Sequence, residues 1–184
     1  MLTGKSRCLS VMASDDIDHG RDSKNLKLDF SLSVEDRVRT LAATYIENAS
    51  KEAWDGRLMR ECCKLISASA ESASVVYEVT IDPFLCNVVK TLHGGAAATI
   101  LDHITATALF TISTPSFLDR GILSRTLTIT FHRPVPMGVR AIVEAEVVSA
   151  GKTLANVREV IKTPDGKPCV TCIHDLALGS APKL

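Results

Sequence analysis

Aromatic side chains are scarce in this sequence, at 4% of 184 residues, and formal charge cancels, with 21 basic and 21 acidic residues. So few rings leave little with which to stack nucleic-acid bases. The basic residues are scattered, which argues against a nucleic-acid or anionic-membrane surface as the main partner. Cysteine is present six times, as Cys8, Cys62, Cys63, Cys86, Cys169 and Cys172. The spacing is not that of a small disulfide scaffold and no signal peptide is read before it, so a reducing compartment is expected. Cys169 and Cys172 have CxxC spacing but lie in an alternating run, where positions i and i+3 face opposite sides of a sheet. No redox or zinc role is expected there.

Apolar residues make up 46% and charged residues 23%, which suits one domain with a sizeable core. Residues 1–31 read as a disordered tail and 32–184 as the domain. The tail has Lys5 and Arg7 but turns acidic at "DDID", a poor transit peptide. The closing "PKL" only partly matches a peroxisomal address. The expectation is an intracellular protein, cytoplasmic or mitochondrial ahead of peroxisomal.

From Ser33, "SVEDRVRTLAATYIENA" reads as an amphipathic helix, with Val34, Val38, Leu41, Ala42 and Tyr45 on one face and a Ser33–Asp36 capping box. "KLISASAESASVVYEVTI" reads as a strand hairpin, and Asp82-Pro83 opens a connector. A long helix over 91–112 follows, stopped by Pro115. In "SRTLTITFHRPV", Thr126, Thr128 and Thr130 alternate with Leu127, Ile129 and Phe131, the period of a half-buried strand. "RAIVEAEVVSA", "TLANVREVIKT" and "PCVTCIHDLAL" are three more strands, joined by turns short enough to make them antiparallel. The fold class is α+β, with a five- or six-stranded antiparallel sheet wrapped over one central helix. Residues 94–112 are apolar enough to ask about a membrane span, but Asp102, His103 and four threonines argue against one. "GKT" at 151–153 lacks the glycine a phosphate loop needs at position 146, where Glu146 stands, and reads as a hairpin turn.

Two features of the central helix carry chemistry. Gly94 and Gly95 follow His93, and the unpaired N–H groups of a first helical turn suit an anion or a developing oxyanion. The same glycines also suit tight helix–sheet packing. Asp102 is the only formal charge between Lys90 and Asp119, with Ala98, Thr99, Thr105 and Ala106 one turn away. Ile100, Ile104 and Ala108 mark the opposite, core side. A carboxylate in apolar surroundings is a competent general base. His93 and Asp102 lie roughly 13 Å apart on opposite sides of the helix, so a site using both needs a second subunit.

"NVVKTLHGGAAATILD", with Asn six residues before the His and Asp nine after it, resembles the signature of hotdog-fold acyl-CoA thioesterases. The resemblance is to the phenylacetate-pathway and thioesterase superfamily member 2 type and runs from Leu32 to Leu178. It implies that Asn87 and the Gly94 N–H hold the thioester oxyanion. Asp102 from a partner subunit would activate water or attack directly, and Ser124 would orient the nucleophile. His93 would hold the glycine turn. Coenzyme A would run along Thr126, the strand end Phe131, His132, Arg133, Pro134, Val135 and Pro136, and the hairpin Ser149, Ala150, Gly151, Lys152, Thr153 and Leu154. Arg133 and Lys152 would meet its phosphates.

The protein is thus expected to hydrolyse fatty or aromatic acyl-CoA to free acid and CoA. The resemblance implies a homodimer that pairs again into a tetramer, with no metal or cofactor other than the substrate's own CoA. Cys86 has no suitably placed His and is not expected to act as a nucleophile. His132 and His174 lie in strands, where packing or solvent explains them, and His103 points about 100° away from Asp102. Two rivals remain. One is release of acyl or polyketide chains from a carrier protein, for which Arg120, Arg125 and Arg133 would form a docking rim. The other is a non-catalytic acyl-CoA binding protein.

Overall fold

A computed structural model describes residues 28–48, 54–118 and 122–178. Most of the tail, Cys8, the Tyr45 side chain, Arg120 and the closing "PKL" therefore lie outside the described residues. The elements are helix α1 (Val34–Asn48), helix α2 (Trp54–Cys62), strands β1 (Cys63–Ser69) and β2 (Ser74–Thr80), helix α3 (Gly94–Leu109), and strands β3 (Ile122–Phe131), β4 (Arg140–Ala150), β5 (Leu154–Lys162) and β6 (Pro168–Leu178). The capping box forms as expected: Ser33 Oγ donates to Asp36 Oδ2 at 2.6 Å, and the Asp36 N–H donates back to Ser33 Oγ at 3.1 Å. Helix α2 was not anticipated. It is nine residues long, contains Gly56, and runs into β1 with no turn residue between Cys62 and Cys63. Its buried Leu58, Met59 and Cys62, at helical spacing, were the signal available.

The six strands form one antiparallel sheet in the order β1-β2-β4-β5-β6-β3. The central helix begins at Gly94 rather than Thr91 and ends in a 3₁₀ turn, Phe110–Ile112. It packs against five of the strands, β2 to β6. Ile100, Leu101, Ile104 and Ala108 are fully buried against inward residues such as Val79, Val143, Val157 and Leu176. Gly94–Ile112 is long and apolar enough to cross a membrane by composition, but in this fold it is the core helix.

The outer strands differ in what they leave open. β3 is an edge strand whose neighbour is β6, not the sequence-adjacent β4. It leaves Leu123 and Phe131 exposed.

Glu159 faces inward from β5, fully buried, and neither carboxyl oxygen has a hydrogen-bond partner among the described residues. Burial, aided by the charge of Asp102, pushes its pKa well above the ordinary carboxylate range. A carboxyl held neutral in the fold binds its proton more tightly there than in the unfolded chain. The stability this gives is full below the unfolded pKa and is lost as pH rises through the raised, folded value. Urea unfolding of Glu159→Gln beside wild type should show a stability advantage for the variant that grows with pH. A gap that does not change with pH would contradict a buried neutral Glu159.

Candidate active site

The loop before α3 is a small hydrogen-bonded turn built on Asn87. Its Oδ1 accepts the N–H groups of Val89 and Thr91 at 3.1 and 3.2 Å, while its Nδ2 lies 2.9 Å from Thr91 Oγ1. Lys90 takes positive φ to close the turn. These bonds use Oδ1 and one amide N–H and leave the second N–H uncommitted by the loop.

His93 is the N-cap of α3. Its backbone N–H donates to Leu85 O at 2.8 Å and its Nδ1 accepts the Gly95 N–H at 3.0 Å. The ring thereby ties the glycine turn to its own cap and leaves its hydrogen on Nε2. The two glycines now have separate reasons. A Cβ on Gly95 would come within 3.2 Å of His93 Nδ1, and one on Gly94 would touch the Phe131 ring at 3.4 Å. The Gly94 N–H has no intrahelical acceptor. Asn87 and Gly94, with Phe131, His132, Arg133, Pro134 and Val135, line one cavity of about 380 Å³. The Arg133 guanidinium donates to Pro168 O at 2.8 Å, which fixes its direction. Pro136 bridges to Thr91 beside this cavity.

Asp102 lies elsewhere. Its side chain is 42% exposed, and Ser124 Oγ donates to its Oδ1 at 2.5 Å. Strict alternation would have set Ser124 on the threonine face of β3. A bulge between Ser124 and Thr126 adds one residue, Arg125, so that Ser124 pairs with inward Leu176 and turns toward α3. Asp102 is therefore not alone within its own chain. Besides Ser124, His174 Nε2 lies 3.6 Å from the same oxygen. His174, first assigned to packing or solvent, is fully buried behind the carboxylate. The pairing of β6 with β3 brings it there, and that register was not legible in the local pattern. His103 turns instead to Asp55 on α2, at 3.6 Å.

The remaining CoA residues divide between the two places. The 149–154 hairpin sits at the Ser124 end of the sheet, where Leu154 pairs with Ala177 and Leu123 with the same residue. Phe131 pairs with Val170 at the far end. Seven residues of extended strand separate Ser124 from Phe131, roughly 23 Å. Within one chain the predicted site is therefore two half-sites. Thr126 pairs with Asp175 on the face away from α3. A larger groove, about 640 Å³, lies on that outer face among the pairs Arg158–Glu146 and Lys162–Glu144, apart from both halves. At Cys86, burial and then the charge of Asp82 push the thiol pKa up, and Sγ donates to Asp82 O. Among the described residues, no three His, Cys, Asp or Glu side chains converge as metal ligands would.

A family model described as the thioesterase superfamily matches residues 90–170. Human acyl-coenzyme A thioesterase 13 is 33% identical over 94 residues, which are 50% of this chain and 63% of the human protein. The chain thus spans just under two thirds of the length of that curated relative. The crystal structure of mouse thioesterase superfamily member 2 is 26% identical, with a TM-score of 0.66, over 80% of this chain and 99% of the mouse one. A Streptococcus pneumoniae thioesterase protein crystallised with coenzyme A has the same fold at 14% identity and a TM-score of 0.58, over 67% of this chain and 94% of its own. The fold is the hotdog fold that these thioesterase structures share, and the resemblance first seen in the His-Gly-Gly and Asp spacing is borne out.

Because His93 both caps α3 and sits against Gly95, Gly95→Ala should displace the imidazole. The expected loss is that of an N-cap, about 1 kcal/mol in urea unfolding. An unchanged midpoint would mean that the cap is dispensable.

Proposed function

We propose that this chain is an acyl-CoA thioesterase that works as a homodimer, each site combining one subunit's Asn87 and Gly94 with the other's Asp102 and Ser124. The observation that carries this reading is the separation of the two half-sites along β3, an edge strand with no partner on its outer side among the described residues. If β3 pairs antiparallel with its copy about a two-fold axis, the Ser124 end of one strand lies beside the Phe131 end of the other. Such a pairing would set each base opposite an oxyanion turn.

The thioester carbonyl oxygen would lie against the Asn87 amide and the Gly94 N–H, whose positive end of the helix favours developing negative charge. Asp102 would take a proton from water while the Ser124 hydroxyl fixes its Oδ1. A thioester lacks amide resonance, so this modest equipment suffices. The CoA phosphates would meet Arg133 from the oxyanion side and Lys152 from the hairpin of the other subunit. No further cofactor enters the scheme, and the dimers pair again into a tetramer. The five described cysteines are free, which fits the reducing, intracellular location we propose.

Thiol release from a panel of acyl-CoAs should fall by about 10²–10⁴ in Asp102→Asn and by about 10²–10³ in Asn87→Ala. The two variants damage different halves, so mixed subunits rebuild one intact site per heterodimer. An equal mixture, unfolded and refolded together, should regain about a quarter of wild-type turnover. No regain, with heterodimers present, would place both halves in the same subunit and sink the shared site.

A further inference from the structure

Behind Asp102 lies a group that the chemistry above leaves idle. His174 projects from the helix-facing side of β6 and is fully buried. Its Nδ1 is 2.6 Å from the hydroxyl of Thr105, one turn beyond Asp102 on α3. That hydroxyl has a single hydrogen, directed at Leu101 O at 2.7 Å and shared with Asp102 O at 3.0 Å. Thr105 Oγ1 therefore has only lone pairs to offer His174, so the imidazole hydrogen stands on Nδ1. Nε2 is left bare. It has no hydrogen-bond partner among the described residues, and it faces Asp102 Oδ1 across 3.6 Å.

At rest, two acceptors confront each other, and the buried nitrogen, unlike the half-open carboxylate, has no water to turn to and is left unsatisfied. Burial holds the His174 pKa below its ordinary value although the charges of Asp102 and Asp175 pull it up, so the ring is neutral. Its other acidic neighbours do not compete for the role. Asp175 is held by Asn156 Nδ2 at 2.7 Å, and Glu159 is kept neutral by burial. The only event in the reaction that satisfies Nε2 is the arrival of a proton on Asp102.

We propose that His174 is a positioning residue for Asp102, its bare Nε2 accepting a hydrogen bond from the carboxyl group after Asp102 has taken a proton from the attacking water. This rests on the thioesterase reading above. In the first step, a water O–H bond breaks, a C–O bond forms, and the carbonyl electron pair moves onto the oxygen held by Asn87 and Gly94. The proton passes to Asp102 and points at Nε2, and the 3.6 Å gap closes to hydrogen-bonding distance, about 3.0 Å or less. In the second step, the carbonyl re-forms, the C–S bond breaks, and the thiolate takes the proton back from Asp102. The carboxylate and the bare imidazole are restored, and water and thioester have become acid and thiol with no other reactant.

Ring-nitrogen NMR of the full chain with labelled histidine reads the arrangement directly. The expected signature for His174 is a protonated Nδ1 and a bare Nε2; a hydrogen on Nε2 overturns the proposal. His174→Gln puts an amide where the bare nitrogen stood. It should lower kcat by about tenfold to a hundredfold, short of the ~10²–10⁴ of the base itself, with KM for the acyl-CoA and the dimer unchanged. Undiminished kcat, or a loss confined to KM, overturns the proposal while the thioesterase reading stands. Wild type that turns over no acyl-CoA overturns both. Should the variant fail to fold, Thr105→Val removes the acceptor that fixes the ring. It should free Nε2 to carry hydrogen in the NMR spectrum and lower kcat at constant KM.

Discussion

The packing of α3 against the sheet is the constraint on which everything else here depends. Ile100, Leu101, Ile104 and Ala108 are sealed from solvent, so the helix has one allowed rotation and one allowed height. Two things follow from that single rigid placement. Its first turn is held at the mouth of the Asn87 loop, and its third turn presents Asp102 to β3. A helix free to slide by one residue would rotate by about 100° and lose both relations at once.

Around that rigid element the polar groups are assembled by locally specified devices. His93 satisfies a first-turn N–H through its ring, a cap more often supplied by Ser, Thr, Asp or Asn. Asn87 commits its carbonyl oxygen and one amide N–H to its own loop and leaves the other N–H uncommitted. The bulge at Arg125 turns one hydroxyl from one face of a strand to the other. Each device concerns one to five residues, and each would be lost by a single insertion or deletion.

Legibility divided along these lines. The strands, the hairpin turns and the core face of α3 were visible in the sequence because period-2 and helical patterns repeat over many residues. Asn87, His93, Gly94 and Asp102 were visible because they are close in sequence and share one spacing. Ser124 came from the family resemblance, since plain alternation points it to the wrong face and only the bulge corrects this. His174 was missed for a different reason. Seventy-two residues separate it from Asp102, and their meeting depends on β6 lying between β5 and β3. Short polar-in-strand signals do not announce which element they will face. Helix α2 was missed because a nine-residue helix that abuts a strand offers neither length nor a stop signal.

The open side of β3 has a consequence beyond chemistry. An edge strand offers unpaired backbone donors and acceptors to any extended chain that passes, and it is where sheets recruit unwanted neighbours. This one is ten residues long, shows Leu123 and Phe131 to solvent, and carries its irregularity near one end only. A copy of the same strand, run in the opposite direction, would present its own irregularity at the other end. In such a pairing the bulge would be a registration mark as well as a hydroxyl switch, and it would penalise slipped pairings and foreign strands alike. The solubility of the folded chain and the completeness of its site would be secured by the same few backbone hydrogen bonds.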